Sequence, residues 1–462
     1  MTSSSRDDAR REAILSGPLR RTVFLLALPV LGEQGLNLFV AFFDTWLAGH
    51  LPDSAGVSIT TATAAVGFAA YLSYLGLMVA LFVSAGTTAL VSRFWGGGQR
   101  LAASVFANRS LVLAATAGIA FAVVMHAVAE DVLALLGMEG ELIPRTAAYI
   151  RYEAWAYPPL MVSLIAAAAL RGSGDLISPL RVLVVVNTVN AGLSYGFATG
   201  WGPLPMWGLD GIVAGTVTAR WLQCGLLLAK LAAPDGLRLI PRQWRIGGRA
   251  TWRILRIGLP AAADGLIFWM AHFIFLKIVM RVGPDAFAAH IVGIRVESLT
   301  YLTAGAWGAA ASTMIGQNLG ADQPDRARAA GHEAARQMTV VALATSALFI
   351  LATEPIFRFM TESPAIREIA AEPFRLVGWF QVFLGLAIVY VAALRGAGQT
   401  RQPLAMTAAV SYLVRLPTAY LLAVEVGWGL WGAWLGMSVD MLLRGLGAMA
   451  LFTFTRWEQT KV

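Results

Sequence analysis

Long apolar runs separated by short polar breaks occupy most of this sequence. One such run, at 111–129, is continuous and does not alternate with a period of two, which favours helices over strands. A helix needs about 20 mostly apolar residues to cross a bilayer, so runs of this length predict membrane spans. Twelve spans are predicted, near residues 22–49, 57–91, 105–128, 147–170, 178–200, 207–232, 255–282, 286–316, 333–355, 371–394, 402–425 and 429–454.

The composition supports a membrane protein. Of the 462 residues, 57% are hydrophobic and 13% are charged, whereas about 25% of residues are charged in soluble domains. Only helices and closed barrels satisfy their backbone in lipid, and the runs here lack the alternation of barrel strands. We therefore predict an all-α integral membrane protein. The single cysteine, Cys224, excludes an internal disulfide.

Arginines accumulate on one side of the predicted membrane. The N-terminal segment and the even-numbered loops carry most of them, while the other loops are shorter and poorer in arginine, apart from the third and the ninth. The positive-inside rule places both termini in the cytoplasm and the chain in the inner (cytoplasmic) membrane of the cell. The net charge of +8 thus reflects orientation, and we expect no nucleic-acid partner.

The two halves of the chain resemble each other. Arg171 within Leu-Arg-Gly recurs 224 residues later as Arg395, and Pro29 recurs 231 residues later as Pro260. An even number of spans per half makes these parallel repeats, which predicts two pseudo-symmetric six-helix lobes around a central cleft. The predicted domains are an N-terminal lobe over 1–236, a cytoplasmic linker over 237–254 that lies on the inner leaflet, and a C-terminal lobe over 255–462.

Polar side chains lie inside the predicted spans, where an unpaired charge costs about 2.5–3.5 kcal/mol. The first span has three on one face, at spacings of four and seven, and Pro29 is its expected hinge. The fifth span has two amides and a hydroxyl on one face, which we expect to meet the first span and to bond to Asp44. The alternative is that they only hold helices together. The candidate proton- or cation-coupling residues are Asp44, Glu33, Asn37, Asn190, Asn187 and Ser194.

The second half shares this scaffold but differs in its chemistry. The equivalent face of the seventh span, 231 residues further on, holds one carboxylate and two phenylalanines. Aromatic and methionine side chains in this half suit flat, lipophilic, cationic ligands through stacking and cation–π contact. The candidate residues of the substrate cleft are Asp264, Phe268, Trp269, Met270, Glu297, Tyr301 and Trp379.

The other intramembrane charges favour structural roles. Asp440 and Arg444 are four residues apart and are expected to neutralise each other. Arg220 and Arg415 are expected to bond carbonyl or carboxylate groups. No spacing of His, Cys and carboxylates indicates a metal site, and no motif indicates a cofactor or an enzyme.

Several segments now identify a resemblance. Residues 44–50 (DTWLAGH), 295–299 (RVESL) and 316–321 (GQNLGA), with the repeated Leu-Arg-Gly, resemble the multidrug and toxic compound extrusion (MATE) family of the MOP superfamily. The resemblance extends over essentially the whole chain. It implies twelve helices in two six-helix lobes, and drug efflux driven by inward proton or sodium flow.

The sequence is more similar to the DinF-type branch of that family. In that branch the first-span aspartate is the proton or cation site, which matches Asp44, and a fifth-span asparagine matches Asn190. Some members have a second aspartate where this chain has Ser194. The sodium-binding carboxylates of the NorM-type branch correspond here to Phe268 and Leu384.

We therefore expect a proton-coupled antiporter that exports cationic or amphipathic compounds by alternating access and works as a monomer. No cofactor is expected beyond the proton gradient, with Na⁺ as an alternative driving ion. The expected partners are small organic molecules, protons and the lipid bilayer. The alternatives are a sodium-coupled or dual-ion exporter, and a flippase for lipid-linked precursors from the same superfamily.

Overall fold

The computed structural model describes residues 3–51, 59–135, 142–233 and 236–460. Among these residues the chain forms helices joined by turns and short loops, and no strand is present. The first half contains α1 (Ser3–Ser16), α2 (Leu19–Ala48), α3 (Ile59–Gly96), α4 (Arg100–Leu135), α5 (Leu142–Glu153), α6 (Tyr157–Gly172), α7 (Ile177–Thr199) and α8 (Leu209–Ala232).

The second half is also helical, but one of its spans consists of several short helical segments in succession. Two π-helical turns, Ser411–Arg415 and Leu421–Glu425, continue the helices beside them, so that 401–425 forms one span. The helices are α9 (Gly248–Val282), α10 (Pro284–Gly320), α11 (Pro324–Leu351), α12 (Thr353–Met360), α13 (Pro364–Gly396), α14 (Arg401–Val410), α15 (Leu416–Tyr420) and α16 (Gly429–Phe454).

Eleven helices of the described residues are long and apolar enough to cross a membrane. They match eleven of the twelve predicted spans, which confirms the all-helical membrane prediction for those spans. The remaining span, 286–316, lies in α10, whose 37 residues extend about 55 Å, beyond the roughly 30 Å of a hydrocarbon core. The predicted span within α10 contains polar residues such as His290 and Glu297.

The chain divides into two compact units. The first unit contains Met1–Arg10 and Gly32–Arg256, and the second contains Arg11–Leu31 and Ile257–Val462. The first span therefore begins in the second unit and enters the first unit after Leu31. The predicted lobes placed the whole first span in the N-terminal half, because the apolar pattern of a span does not reveal which helices it packs against. The predicted lobe and linker boundaries stay a prediction.

Each unit uses two glycines, four residues apart, to bring helices close together. They are Gly211 and Gly215 of α8 in the first unit, and Gly432 and Gly436 of α16 in the second. A Cβ at any of these positions would lie less than 3.0 Å from an atom of a neighbouring helical segment, and at Gly215 it would lie 2.3 Å from Oγ of Ser194. Small residues at this spacing allow backbones of membrane helices to approach closely.

The segment between α8 and α9 is held against α4 by the side chain of Asn108. The Asn108 amide donates to the carbonyl oxygen of Arg238 at 2.7 Å. Its side-chain oxygen accepts from the backbone N–H of Ile240 and from the indole N–H of Trp244, both at 2.8 Å. The predicted linker is therefore a structured segment anchored to a span.

We expect Asn108→Ala to release this segment. A buried polar group left without its partner costs about 1–3 kcal/mol, so the segment should open more often and trypsin should cut after its arginines faster. Limited proteolysis of the purified protein in detergent measures this rate. Thr116→Ala is the control, because the Thr116 hydroxyl bonds only to the backbone of α4 itself. Equal cleavage of wild type and Asn108→Ala would contradict the anchoring role.

Candidate functional site

An ion pair of the same design is present in each unit. In the first unit, Nη1 of Arg171 donates to Oε2 of Glu33 at 3.0 Å. In the second unit, Nη2 of Arg395 donates to Oδ2 of Asp264 at 2.5 Å. Each pair joins a carboxylate of α2 or α9 to the C-terminal turn of α6 or α13. Both carboxylates are thereby compensated inside membrane helices.

The sequence contained the signal for both pairs, although their pairing was not predicted. The carboxylates Glu33 and Asp264 are related by the 231-residue offset, and the arginines by the 224-residue offset. Two repeats of similar offset predict equivalent contacts in both units. Glu33 was assigned to ion coupling and Asp264 to the substrate cleft. The structure gives both a stabilising contact, and the functional assignments stay predictions.

Asp44 lies further along α2 and forms no such pair. Its Oδ1 is buried and accepts no hydrogen bond. The guanidinium of Arg220 on α8 is close enough to act on its charge but does not contact it. The flanking residues Phe43 and Leu47 pack into an apolar cluster with side chains of α5 and α8. Asp44 is therefore a half-buried carboxyl group that is flanked by apolar packing and lies within electrostatic reach of Arg220.

A second carboxylate, Glu153, lies in the same region and was missed by the sequence analysis. Glu153 is 7% exposed, and Arg220 is within electrostatic reach of both Glu153 and Asp44. Glu153 lies within the predicted span 147–170. It was not singled out because it lies near the polar end of that span. Its spacing of four residues from Tyr149 places both on one helix face, which was the available signal.

The polar face of α7 meets α2, as predicted, through Asn187, whose amide donates to a backbone carbonyl of α2 at 3.3 Å. The expected amide and hydroxyl partners of Asp44 are not found. The Ser194 hydroxyl instead reaches Oδ1 of Asn190 at 3.1 Å and a backbone carbonyl of α8 at 3.2 Å. That expectation was wrong because these side chains satisfy each other. Asn37 is exposed.

In the second unit, Asp440 and Arg444 form the pair that their spacing predicted. Nε of Arg444 lies 3.0 Å from both carboxylate oxygens, and Nη2 lies 2.5 Å from Oδ2. Asp440 is completely buried, and the Ser411 hydroxyl donates to it at 3.4 Å. The expected mutual neutralisation is confirmed.

Glu297 occupies a different environment on α10. It is 1% exposed, and Oε1 accepts a hydrogen bond from the amide of Gln381 on α13 at 3.1 Å. Gln381 was not identified from the sequence, since a single amide in an apolar helix carries no spacing signal. Tyr301, one turn further along α10, is half-buried.

Arg415 does not bond to a carbonyl or a carboxylate, so that expectation was wrong. Its guanidinium carbon lies 4.4 Å from the ring centre of Phe275, and Nη2 lies 3.3 Å from Nδ1 of His272. The guanidinium carbons of Arg444 and Arg415 lie 4.7 Å and 5.7 Å from the ring centre of Phe268. The protein's own cations therefore make the cation–π contacts of Phe268 that were expected for a ligand.

The other candidate cleft residues differ in exposure. Met270 is 51% exposed and Trp379 is 68% exposed. The ring of Trp269 packs edge-on against His272, with the ring centres 5.5 Å apart. Exposed apolar side chains of a membrane helix suit contact with lipid as well as with ligand, so their role in a cleft stays a prediction.

We expect Arg395→Gln to lower the melting temperature more than Asp264→Asn combined with Arg395→Gln. Removing one partner leaves a buried uncompensated charge, which costs about 3–5 kcal/mol, whereas the double variant buries none. Thermal unfolding in detergent measures the melting temperatures of the two variants and shows which is lower. Arg358→Gln is the control, because it breaks an exposed pair with Glu354 and such pairs contribute only about 0–1 kcal/mol. A double variant as unstable as the single one would contradict this explanation.

Comparisons with known proteins agree with this fold. The MatE family model matches residues 29–195 and 260–421. A Thermotoga maritima protein named "Probable multidrug resistance protein NorM" is 27% identical over 450 residues, which cover 96% of this chain and 94% of that protein. The crystal structure of a MATE protein in the bent conformation aligns with a TM-score of 0.86 at 19% identity, over 96% of both chains. A MOP superfamily transporter from Pyrococcus furiosus, described by the reverse polarity of its binding pocket, aligns with a TM-score of 0.85 at 19% identity, over 96% of this chain and 98% of that one. Because the family model spans well over half of its length, this chain belongs to the MatE family of multi-pass membrane transporters.

Proposed function

We propose that this protein is a secondary active antiporter that exports cationic or amphipathic organic compounds in exchange for protons. Membership of the MatE family and relatives named as multidrug resistance proteins support the export of small molecules. The arginine-rich N-terminus and even-numbered loops support an inner-membrane location with cytoplasmic termini. Both units belong to one chain, which supports function as a monomer. The match of Asp44 and Asn190 supports the DinF-type branch.

The observation that carries the proposal is the environment of Asp44. Glu33 on the same helix forms an ion pair with Arg171 through Oε2. Asp44 forms no ion pair, and its buried Oδ1 accepts no hydrogen bond. Asp44 and Glu153 share the field of one cation, Arg220. When the Asp44 carboxylate takes up a proton, this region loses one negative charge. Proton binding therefore changes the net charge of this part of the membrane interior, which is a costly quantity in lipid.

Pro29 is proposed as the hinge that responds to this change. It lies inside α2, two residues before the point at which the helix passes from the second unit to the first. Proline removes a backbone donor and disturbs the preceding turn, so a helix bends there most easily. A hinge at this position lets the part of α2 that carries Asp44 move while 11–31 keeps its packing.

Transport then follows as a cycle between two states. In the outward-facing state Asp44 takes a proton from outside, α2 bends toward Asn190, and substrate is released. In the inward-facing state the proton leaves and a new substrate binds. Proton and substrate need only favour opposite states, without sharing one atom. The membrane potential adds about 2.3 kcal/mol per charge per 100 mV to proton entry.

The flippase alternative requires accessible basic groups for a phosphate-bearing substrate. In the second unit, Arg395 is paired with Asp264 and Arg444 is paired with Asp440. Arg415 is 2% exposed. This arrangement favours the export of drugs over the flipping of lipid-linked precursors.

We expect Asp44→Asn to abolish export driven by a proton gradient, because an amide at this position takes up no proton in the working range of pH. Accumulation of a fluorescent organic cation in proteoliposomes with an imposed proton gradient measures this. The matched control is Asp325→Asn, the same substitution at an exposed carboxylate in the first turn of α11, which should retain proton drive.

Two outcomes would contradict the coupling assignment. One is full proton-driven accumulation by Asp44→Asn. The other is accumulation by the wild type under a sodium gradient alone, with no proton gradient imposed, which would favour the sodium-coupled alternative. Drive by both gradients separately would favour the dual-ion exporter.

Pro29→Ala should slow transport without weakening substrate binding. The alanine restores the missing N–H donor and stiffens the helix at this point, so the change between states becomes rate-limiting while the binding groups stay in place. Initial transport rate and equilibrium binding of the same substrate separate the two effects. Pro260→Ala in α9 is the comparison variant, since α9 lies in one unit after Ile257. An unchanged rate in Pro29→Ala would argue against the hinge.

A further inference from the structure

Three buried carboxylates lie within the described membrane helices of the second unit, and arginines pair with two of them. Asp264 is paired with Arg395, and Asp440 is paired with Arg444. A proton on either carboxylate would leave its guanidinium without a counter-charge inside the membrane, which is strongly unfavourable. The third carboxylate, Glu297, has no cation within ion-pair distance. Of these three carboxylates, Glu297 is the one that can gain or lose a proton without breaking an ion pair.

The hydrogen bonding of Glu297 fits both of its charge states. Oε1 accepts from Nε2 of Gln381 at 3.1 Å, and the same amide nitrogen donates to the carbonyl oxygen of Val377 on its own helix at 3.1 Å. Gln381 is therefore fixed in place. An oxygen that accepts a hydrogen bond does so in a carboxylate and in a neutral carboxyl group alike. Oε2 is buried and accepts no hydrogen bond, so it is the oxygen left to carry a proton.

Charged groups reach Glu297 from several elements. Asp440 already balances Arg444, so Arg415 is the cation left to balance Glu297. On the neighbouring α11, the neutral hydroxyl of Thr345 lies 3.5 Å from the hydroxyl of Thr300. The titratable and charged groups that face Glu297 are Tyr301 on α10, Arg415 at the end of its π-helical turn, and Arg444 with Asp440.

Arg415 is placed to tolerate both charge states of this neighbour. When Glu297 is ionised, the four charges of the group sum to zero. When Glu297 is neutral, the charge of Arg415 rests on the ring of Phe275 at 4.4 Å and on His272, and an aromatic face stabilises a desolvated cation. A π-helical turn often marks a functional position in a helix, and Arg415 ends one.

We propose that Glu297 is a proton-binding site of the second unit, which takes up and releases a proton at Oε2 independently of Asp44. In this step one O–H bond forms at Oε2 as one O–H bond of a hydronium ion breaks, and no electrons are transferred. Gln381 positions the carboxyl group, and Arg415 carries the compensating charge. The site uses no residue of the first unit, so it goes beyond the proposed role of Asp44 and does not depend on it.

The test reads protonation directly on the purified full-length protein. A protonated carboxyl group gives a C=O stretching band in pH-difference infrared spectra. Glu297→Gln should remove one band that Asp44→Asn retains, and Glu297→Asp should keep a band at a changed frequency. Gln381→Leu should raise the frequency of the Glu297 band, because a hydrogen bond to the carbonyl oxygen lowers its stretching frequency.

The outcomes separate this site from the coupling site of the first unit. If Glu297→Gln unfolds at the temperature of the wild type and loses no band, Glu297 does not exchange protons. If Asp44→Asn also loses the Glu297 band, the two sites are not independent. If Glu297→Gln fails to fold, Glu297→Asp and Gln381→Leu still test the proposal. A carboxyl band that is absent or unshifted in both variants would reject the assignment to Glu297. Failure of Asp44→Asn to alter transport would leave these spectra unaffected.

Discussion

An ionised side chain inside a membrane helix has no water around it, so every such charge in this protein needs compensation from the chain itself. Both units meet this requirement with the same contact. A carboxylate near the start of an opening helix, Glu33 or Asp264, pairs with the arginine that ends a later helix, Arg171 or Arg395. These contacts join helices that are far apart in sequence.

The two units differ in the buried carboxyl groups that form no ion pair. In the first unit, Asp44 lies within electrostatic reach of Arg220. In the second, Glu297 lies near Arg415, with Gln381 as its hydrogen-bond donor. In neither unit does the arginine contact Asp44 or Glu297 as an ion pair. A carboxyl group held near a cation but not bonded to it can change its charge without breaking a contact, which is a property that a proton carrier needs.

Local patterns in the sequence predicted those features that depend on short stretches of chain. Continuous apolar runs predicted the spans, and the i, i+4 spacing of Asp440 and Arg444 predicted their pair. Contacts between distant helices were not predicted. The sequence did not show that Ser194 bonds to Asn190 instead of Asp44, or that Arg415 rests on an aromatic ring, because periodicity reports the direction of a side chain and not the neighbour it meets.

By itself, the sequence determined that this is a helical membrane protein with two related halves, and it identified the family through motifs spread over the chain. These properties follow from the hydrophobic length of each segment and from residue identity, which need no knowledge of packing. Only the tertiary structure decided which carboxylates form ion pairs and which do not, and that residues 11–31 pack with the second unit. The reason is that compensation depends on distances between side chains from different helices, and those distances exist only after the helices have packed together.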